Sequence, residues 1–92
     1  MDKEIIWTDD AKNNLRDIIF YLKSSWPQNV LVEFSTLLDL KIKLLSKHPY
    51  IGFKSKKYSR FRKTVITKRY LIIYSIKKDH IVIFQIRRTS MK

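Results

Sequence analysis

No cysteine occurs in the 92 residues, which excludes disulfide stapling and thiolate chemistry. Glycine occurs once, at Gly52, so no glycine-rich loop exists to cradle the phosphates of a bound nucleotide. The two histidines, His48 and His80, lie far apart and neither stands at metal-ligand spacing, so neither a structural metal nor a cofactor is expected. No apolar run reaches the roughly 18 residues that span a bilayer. The opening MDKEIIWTDD has neither the basic start nor the apolar middle of a secretion signal, which sets the expectation of a cytoplasmic protein that does not enter membranes.

Acid is scarce in one half only. Residues 1–46 carry six lysines and arginines against seven acids, whereas residues 47–92 carry fourteen against Asp79 alone, a local net charge of +13. A one-sided cluster of this kind raises the local concentration of phosphates or acidic protein surfaces and speeds encounter with them. The hydrophobic content of 45% and aromatic content of 13% suffice for one compact core and suggest no second, so residues 1–92 read as a single domain.

Periodicity places that charge on a scaffold. KEIIW reads as a short edge strand, and Thr8 stands where it can cap a helix whose first turn holds Asp9 and Asp10. Ala11, Leu15, Ile18, Ile19 and Leu22 then recur at helical spacing. SSWPQ breaks the pattern, and a second helix is expected from about Gln28 to Lys47, stopped by His48 and Pro49. Residues 50–60 read as a loop. Three β-rich runs follow at 61–67, 70–76 and 80–87, joined too briefly for anything but antiparallel neighbours. The expected fold is α+β in the order β-α-α-β-β-β, a helical hairpin on a small twisted, mainly antiparallel sheet.

Few catalytic arrangements survive on this scaffold. A Ser/His/Asp set needs a base and an orienting acid, yet the single acid of the second half, Asp79, sits in a turn beside His80. The acids of the first half fall at helix starts or on solvent-facing positions. Lysine, arginine and tyrosine remain, and these bind phosphates but move protons only when strongly tuned. The dense run Lys54, Lys56, Lys57 and Arg60, extended by Lys63, is the candidate surface for phosphate or an acidic partner. Tyr70, Ile72 and Tyr74 share one face of the central strand, where core packing is expected. Arg87 and Arg88 should point to opposite faces, with Arg87 the better placed to join the preceding strands.

The element order, the opening WTDDAKNNLRDIIFYL, the helix end LLSKHPYIG, the double strand RKTVITKRYLIIYSI and the closing IFQIRRTSMK together resemble the RelE/ParE family of toxins from bacterial type II toxin-antitoxin systems. The resemblance covers nearly the whole chain. It implies growth inhibition, a place in a plasmid-stabilisation type of system, and a cognate acidic antitoxin, partly disordered, that folds across the toxin. Two activities accompany the fold. RelE-like members cut messenger RNA at the ribosome, with lysines and arginines on the backbone and commonly a tyrosine, histidine or glutamate for proton transfer. ParE-like members act on DNA gyrase without nuclease chemistry. The resemblance implies roles for Arg62, in the RK pair, and Arg87, in the terminal IRR. Here no histidine or tyrosine follows Ile86 and no glutamate follows Glu33. The expectation is therefore a ParE-like, non-enzymatic toxin. The alternatives are an mRNA endonuclease using Arg62, Arg87, Tyr58 and Tyr74, or a non-toxic basic nucleic-acid-binding module.

Overall fold

A computed structural model describes residues 2–89. The chain runs through strand β1 (Glu4–Trp7), helices α1 (Asp9–Ser25) and α2 (Gln28–Lys47), a single 3-10 turn (Pro49–Ile51), and strands β2 (Phe53–Lys54), β3 (Arg62–Val65), β4 (Tyr70–Ile76) and β5 (His80–Arg88). Helix α1 starts where Thr8, in extended backbone, accepts the Ala11 amide on its hydroxyl at 3.0 Å, while Asp9 and Asp10 lie against the positive end of the helix dipole. Pro27 separates the helices, and the last turn of α2 closes with the His48 amide donating to the Leu44 carbonyl just before Pro49.

The five strands form one sheet in the order β1-β5-β4-β3-β2. β1 lies parallel to β5 and every other pairing is antiparallel, so the first strand is zipped against the last. Both helices pack on one face. Ala11, Ile18 and Leu22 of α1 and Phe34, Leu38 and Leu45 of α2 meet Ile72, Tyr74, Ile81, Ile83 and Ile86 of the sheet in one core. Withdrawing a Leu or Ile side chain from water contributes about 1.5 to 3 kcal/mol, and the wholly enclosed Leu22, Leu45, Ile72, Ile81 and Ile83 set the sheet's orientation on the hairpin.

Two expectations need correction. The segment 50–60 is not all loop: it contributes the 3-10 turn and β2, which adds a fifth strand at the sheet edge through Phe53 opposite Lys63 and Lys54 opposite Arg62. A two-residue strand leaves no periodic trace in a sequence. β3 is also shorter than the run 61–67, because Ile66 and Thr67 turn back onto Tyr70 through backbone hydrogen bonds.

Candidate functional site

With the hairpin on one side, the other side of the sheet is open, and strand register decides which residues reach it. Residues paired across strands share a face. One open-face row runs Phe53, Lys63, Ile73, Gln85 and the next runs Val65, Leu71, Arg87. The intervening rows, Lys54, Arg62, Tyr74, Ile83 and Thr64, Ile72, Ile86, face the helices.

The pairing slips by one residue on β5. Ile73 opposes Gln85 while Tyr74 opposes Ile83, which leaves Phe84 without a partner in a β-bulge. Phe84 and Gln85 therefore lie side by side on the open face, between the buried Ile83 and Ile86. The slip also reverses the phase of the last residues of the strand: Arg87 opposes Leu71 on the open face and Arg88 opposes the buried Tyr70 on the helix side.

Above this floor the segment between β2 and β3 forms a wall. The result is a concavity of about 760 Å³ lined by Ser55, Lys57, Tyr58, Arg60, Phe61, Lys63, Ile73, Phe84, Gln85 and Arg87. Its aromatic rings form a connected series: Phe61 stacks on Phe84 with centroids 4.9 Å apart, and Tyr58 meets Phe61 edge-on at 6.3 Å. Cations overlie two of the rings, with the Lys57 ammonium 5.5 Å from the Tyr58 centroid and the Arg60 guanidinium 5.7 Å from that of Phe61. The Arg87 Nε donates to the Gln85 side-chain oxygen at 2.8 Å, which orients its guanidinium. Among the described residues four cations and no carboxylate line the hollow, an arrangement that favours an anion bearing planar or apolar groups.

The candidates from the sequence divide between the two faces. Lys57, Tyr58, Arg60, Lys63 and Arg87 come together at the concavity. Lys54 lies in the helix-facing row beside Arg62, and Lys56 is exposed outside the hollow. Arg62 donates from Nη1 to the Gly52 carbonyl at 2.7 Å and lies 4.9 Å over the Tyr50 ring, which makes it a strut of the 3-10 turn. Tyr74 is wholly buried: its hydroxyl donates to the Pro49 carbonyl at 2.7 Å and accepts the Gly52 amide at 3.0 Å. Burial pushes its pKa above the ordinary 10.0, outweighing the opposing influence of the Gly52 amide and Arg62. A tyrosine base needs the reverse shift and access to substrate, and Tyr74 shows neither; Arg62 and Tyr74 lie in the helix-facing row, apart from Arg87 and Tyr58. Phe61, Phe84 and Gln85 match no binding or catalytic motif in the sequence, although the inward spacing Ile81, Ile83, Ile86, with its step from two to three residues, signals the bulge that exposes Phe84 and Gln85.

Among the described residues no group of His, Asp or Glu could hold a metal ion, and no helix is long and apolar enough to cross a membrane.

A helical hairpin on one face of a five-stranded mixed sheet is the fold of the RelE/ParE class. The chain belongs to the ParE toxin family of type II toxin-antitoxin systems, parDE, whose sequence profile matches residues 5–92. Among solved structures it is similar to the chromosomal ParDE toxin-antitoxin system from P. aeruginosa, at 17% identity and a TM-score of 0.77 over 96% of this chain and 97% of that one. The RelBE2 toxin-antitoxin complex from Mycobacterium tuberculosis aligns at 15% identity and a TM-score of 0.69, over 97% of this chain and 100% of its counterpart. The conserved protein HP0894 from Helicobacter pylori aligns at 19% identity and a TM-score of 0.61, over 96% of each chain. Among proteins of curated function none matches the sequence.

Proposed function

We propose that this toxin arrests growth by binding DNA gyrase through the open face of its sheet, and that an acidic antitoxin silences it. The observation that carries the reading is the make-up of the hollow: Lys57, Arg60, Lys63 and Arg87 around three aromatic rings, with no carboxylate or imidazole among the described residues that line it. Cutting RNA through its own 2′-hydroxyl requires one group to take a proton and another to return it. Arginine stays protonated and stabilises charge on a phosphate without moving protons. The hollow is equipped to hold an anionic target and poorly equipped to cleave one. Membership of a family named for parDE systems, and likeness to toxin-antitoxin complexes, support an antitoxin partner.

Two reactions run in parallel test the reading: the purified chain with gyrase on relaxed plasmid, and with translating ribosomes. Inhibited supercoiling or trapped cleaved plasmid, with intact message, is the expected result. Codon-phased cuts in the message with normal supercoiling would overturn it and assign Tyr58, in the wall of the hollow, to proton transfer.

A further inference from the structure

Past Trp7, which pairs with Ile83, no strand of the described residues runs along the outer edge of β5. The bulge begins at that point, and a bulge leaves backbone groups without ladder partners. Helix α1 takes them up. The Thr8 hydroxyl, which accepts the Ala11 amide to cap the helix, donates to the Phe84 carbonyl at 2.7 Å, and the Thr8 amide donates to the Ile83 carbonyl at 3.1 Å. One turn and a half further on, the Asn14 side-chain oxygen accepts the Ile86 amide at 3.1 Å. Hydrophobic spacing requires the phase slip, because regular alternation from Ile83 would bury Gln85 and Arg87 and expose Ile86. Spacing alone does not fix the geometry of the slip. Two polar side chains, reaching from the hairpin side of the sheet, hydrogen-bond its backbone.

We infer that Asn14, with Thr8, is a positioning residue for the toxin's working surface: by holding the backbone of the bulge it sets Phe84 against Phe61 and fixes how Arg87 enters the hollow. The inference rests on the open face being the target surface. It assigns a role in target binding to a helix residue that faces no target. Asn14 acts only through β5, so its loss and the loss of Arg87 should not add.

The test has two arms. In the first, hydrogen exchange and ring-to-ring nuclear Overhauser contacts are read by NMR on the free chain. Asn14→Ala should exchange the Ile86 amide about tenfold faster or more, as expected when one hydrogen bond is removed, and should weaken the Phe61 to Phe84 contacts. Asn14→Asp, which keeps an acceptor, should stay close to the parent chain. Asn14→Gln, which carries the amide one methylene further, substitutes if Asn14→Ala does not fold. An Ile86 amide as protected as in the parent, with ring contacts intact, overturns the inference. In the second arm, the inducer level that halves growth is measured in cells. Asn14→Ala and Arg87→Ala should each raise it, and the double variant should be no weaker than the weaker single variant, whereas additive losses overturn the coupling. Undiminished arrest by Arg87→Ala would overturn the open-face reading of function, and the exchange arm would still decide whether Asn14 holds the bulge.

Discussion

The Gly52 amide donates to the Tyr74 hydroxyl at 3.0 Å, and the two residues are packed so closely that a methyl group on Gly52 would lie 2.5 Å from that hydroxyl. The same methyl would lie 2.6 Å from the Lys63 carbonyl, which belongs to backbone and cannot swing aside. Gly52 has an ordinary extended backbone, so the demand is for space and not for an unusual dihedral. Gly52→Ala should therefore destabilise the chain strongly, and Tyr74→Phe should fail to rescue it because the carbonyl clash remains. Tyr74→Phe alone leaves the Gly52 amide without its partner, at a cost of about 1 to 3 kcal/mol. Thermal melts of the three variants check the order; a double variant as stable as Tyr74→Phe would refute the steric account.

Alkali should unfold the protein through its buried tyrosines. Burial raises the pKa of Tyr74, and also of Tyr70, above 10.0. A raised folded-state value means that the native state holds its phenolic proton more tightly than the unfolded chain. The associated stability is present in full below about pH 10 and is lost as pH climbs through the folded-state values. Melting temperatures between about pH 9 and 11.5 should fall, and less steeply in Tyr74→Phe, where the residual slope belongs to Tyr70.

Charge reversal should separate the two sides of the sheet. Lys57→Glu combined with Lys63→Glu places acid inside the hollow and should relieve growth arrest while the circular dichroism spectrum is unchanged. Lys54→Glu combined with Lys56→Glu changes the net charge equally, outside the hollow, and should leave arrest nearly intact. Equal relief by both pairs would mean that total charge, and not the hollow, governs toxicity.

Association with an acidic antitoxin segment should be steered by the net +13 of residues 47–92. The on-rate, measured by stopped flow, should fall steeply as salt rises, while dissociation, governed by buried apolar anchors, changes little. A salt-independent on-rate would exclude steering.

Much of this architecture is legible in the residues. Thr8 before two aspartates, Pro27 between two helical periods and Pro49 after the second mark both helices to within a residue of their observed ends. The class of the sheet can be read from the short links between its last strands, but its edges cannot. β2 is too brief to have a period, and its Phe53 is exposed, so hydrophobicity gives no hint of pairing there. The placement of Arg87 on the open face required the structure, because counting by twos from Ile81 and Ile83 puts it on the helix side until the slip at Phe84 is allowed for. Arg62 illustrates the opposite case: an arginine opening a strand in a basic run reads as a ligand for phosphate, and the structure places its guanidinium against the Gly52 carbonyl and the Tyr50 ring. A sequence records charge but not where a side chain finds its nearest carbonyl.

The parallel contact of β1 with β5 joins Glu4 to His80 and Trp7 to Ile83, across most of the chain. A ribosome releases the chain from its N-terminus, so β1 and both helices emerge with no strand to close against. β5, which carries Phe84, Gln85 and Arg87, is the last described element to leave the exit tunnel. Contacts this distant in sequence form late and slowly. The nascent chain is thus expected to stay open to an antitoxin already present, and to acquire its working surface only once β5 has been made. Protease resistance of chains stalled at increasing lengths would register that step as an abrupt gain when β5 emerges.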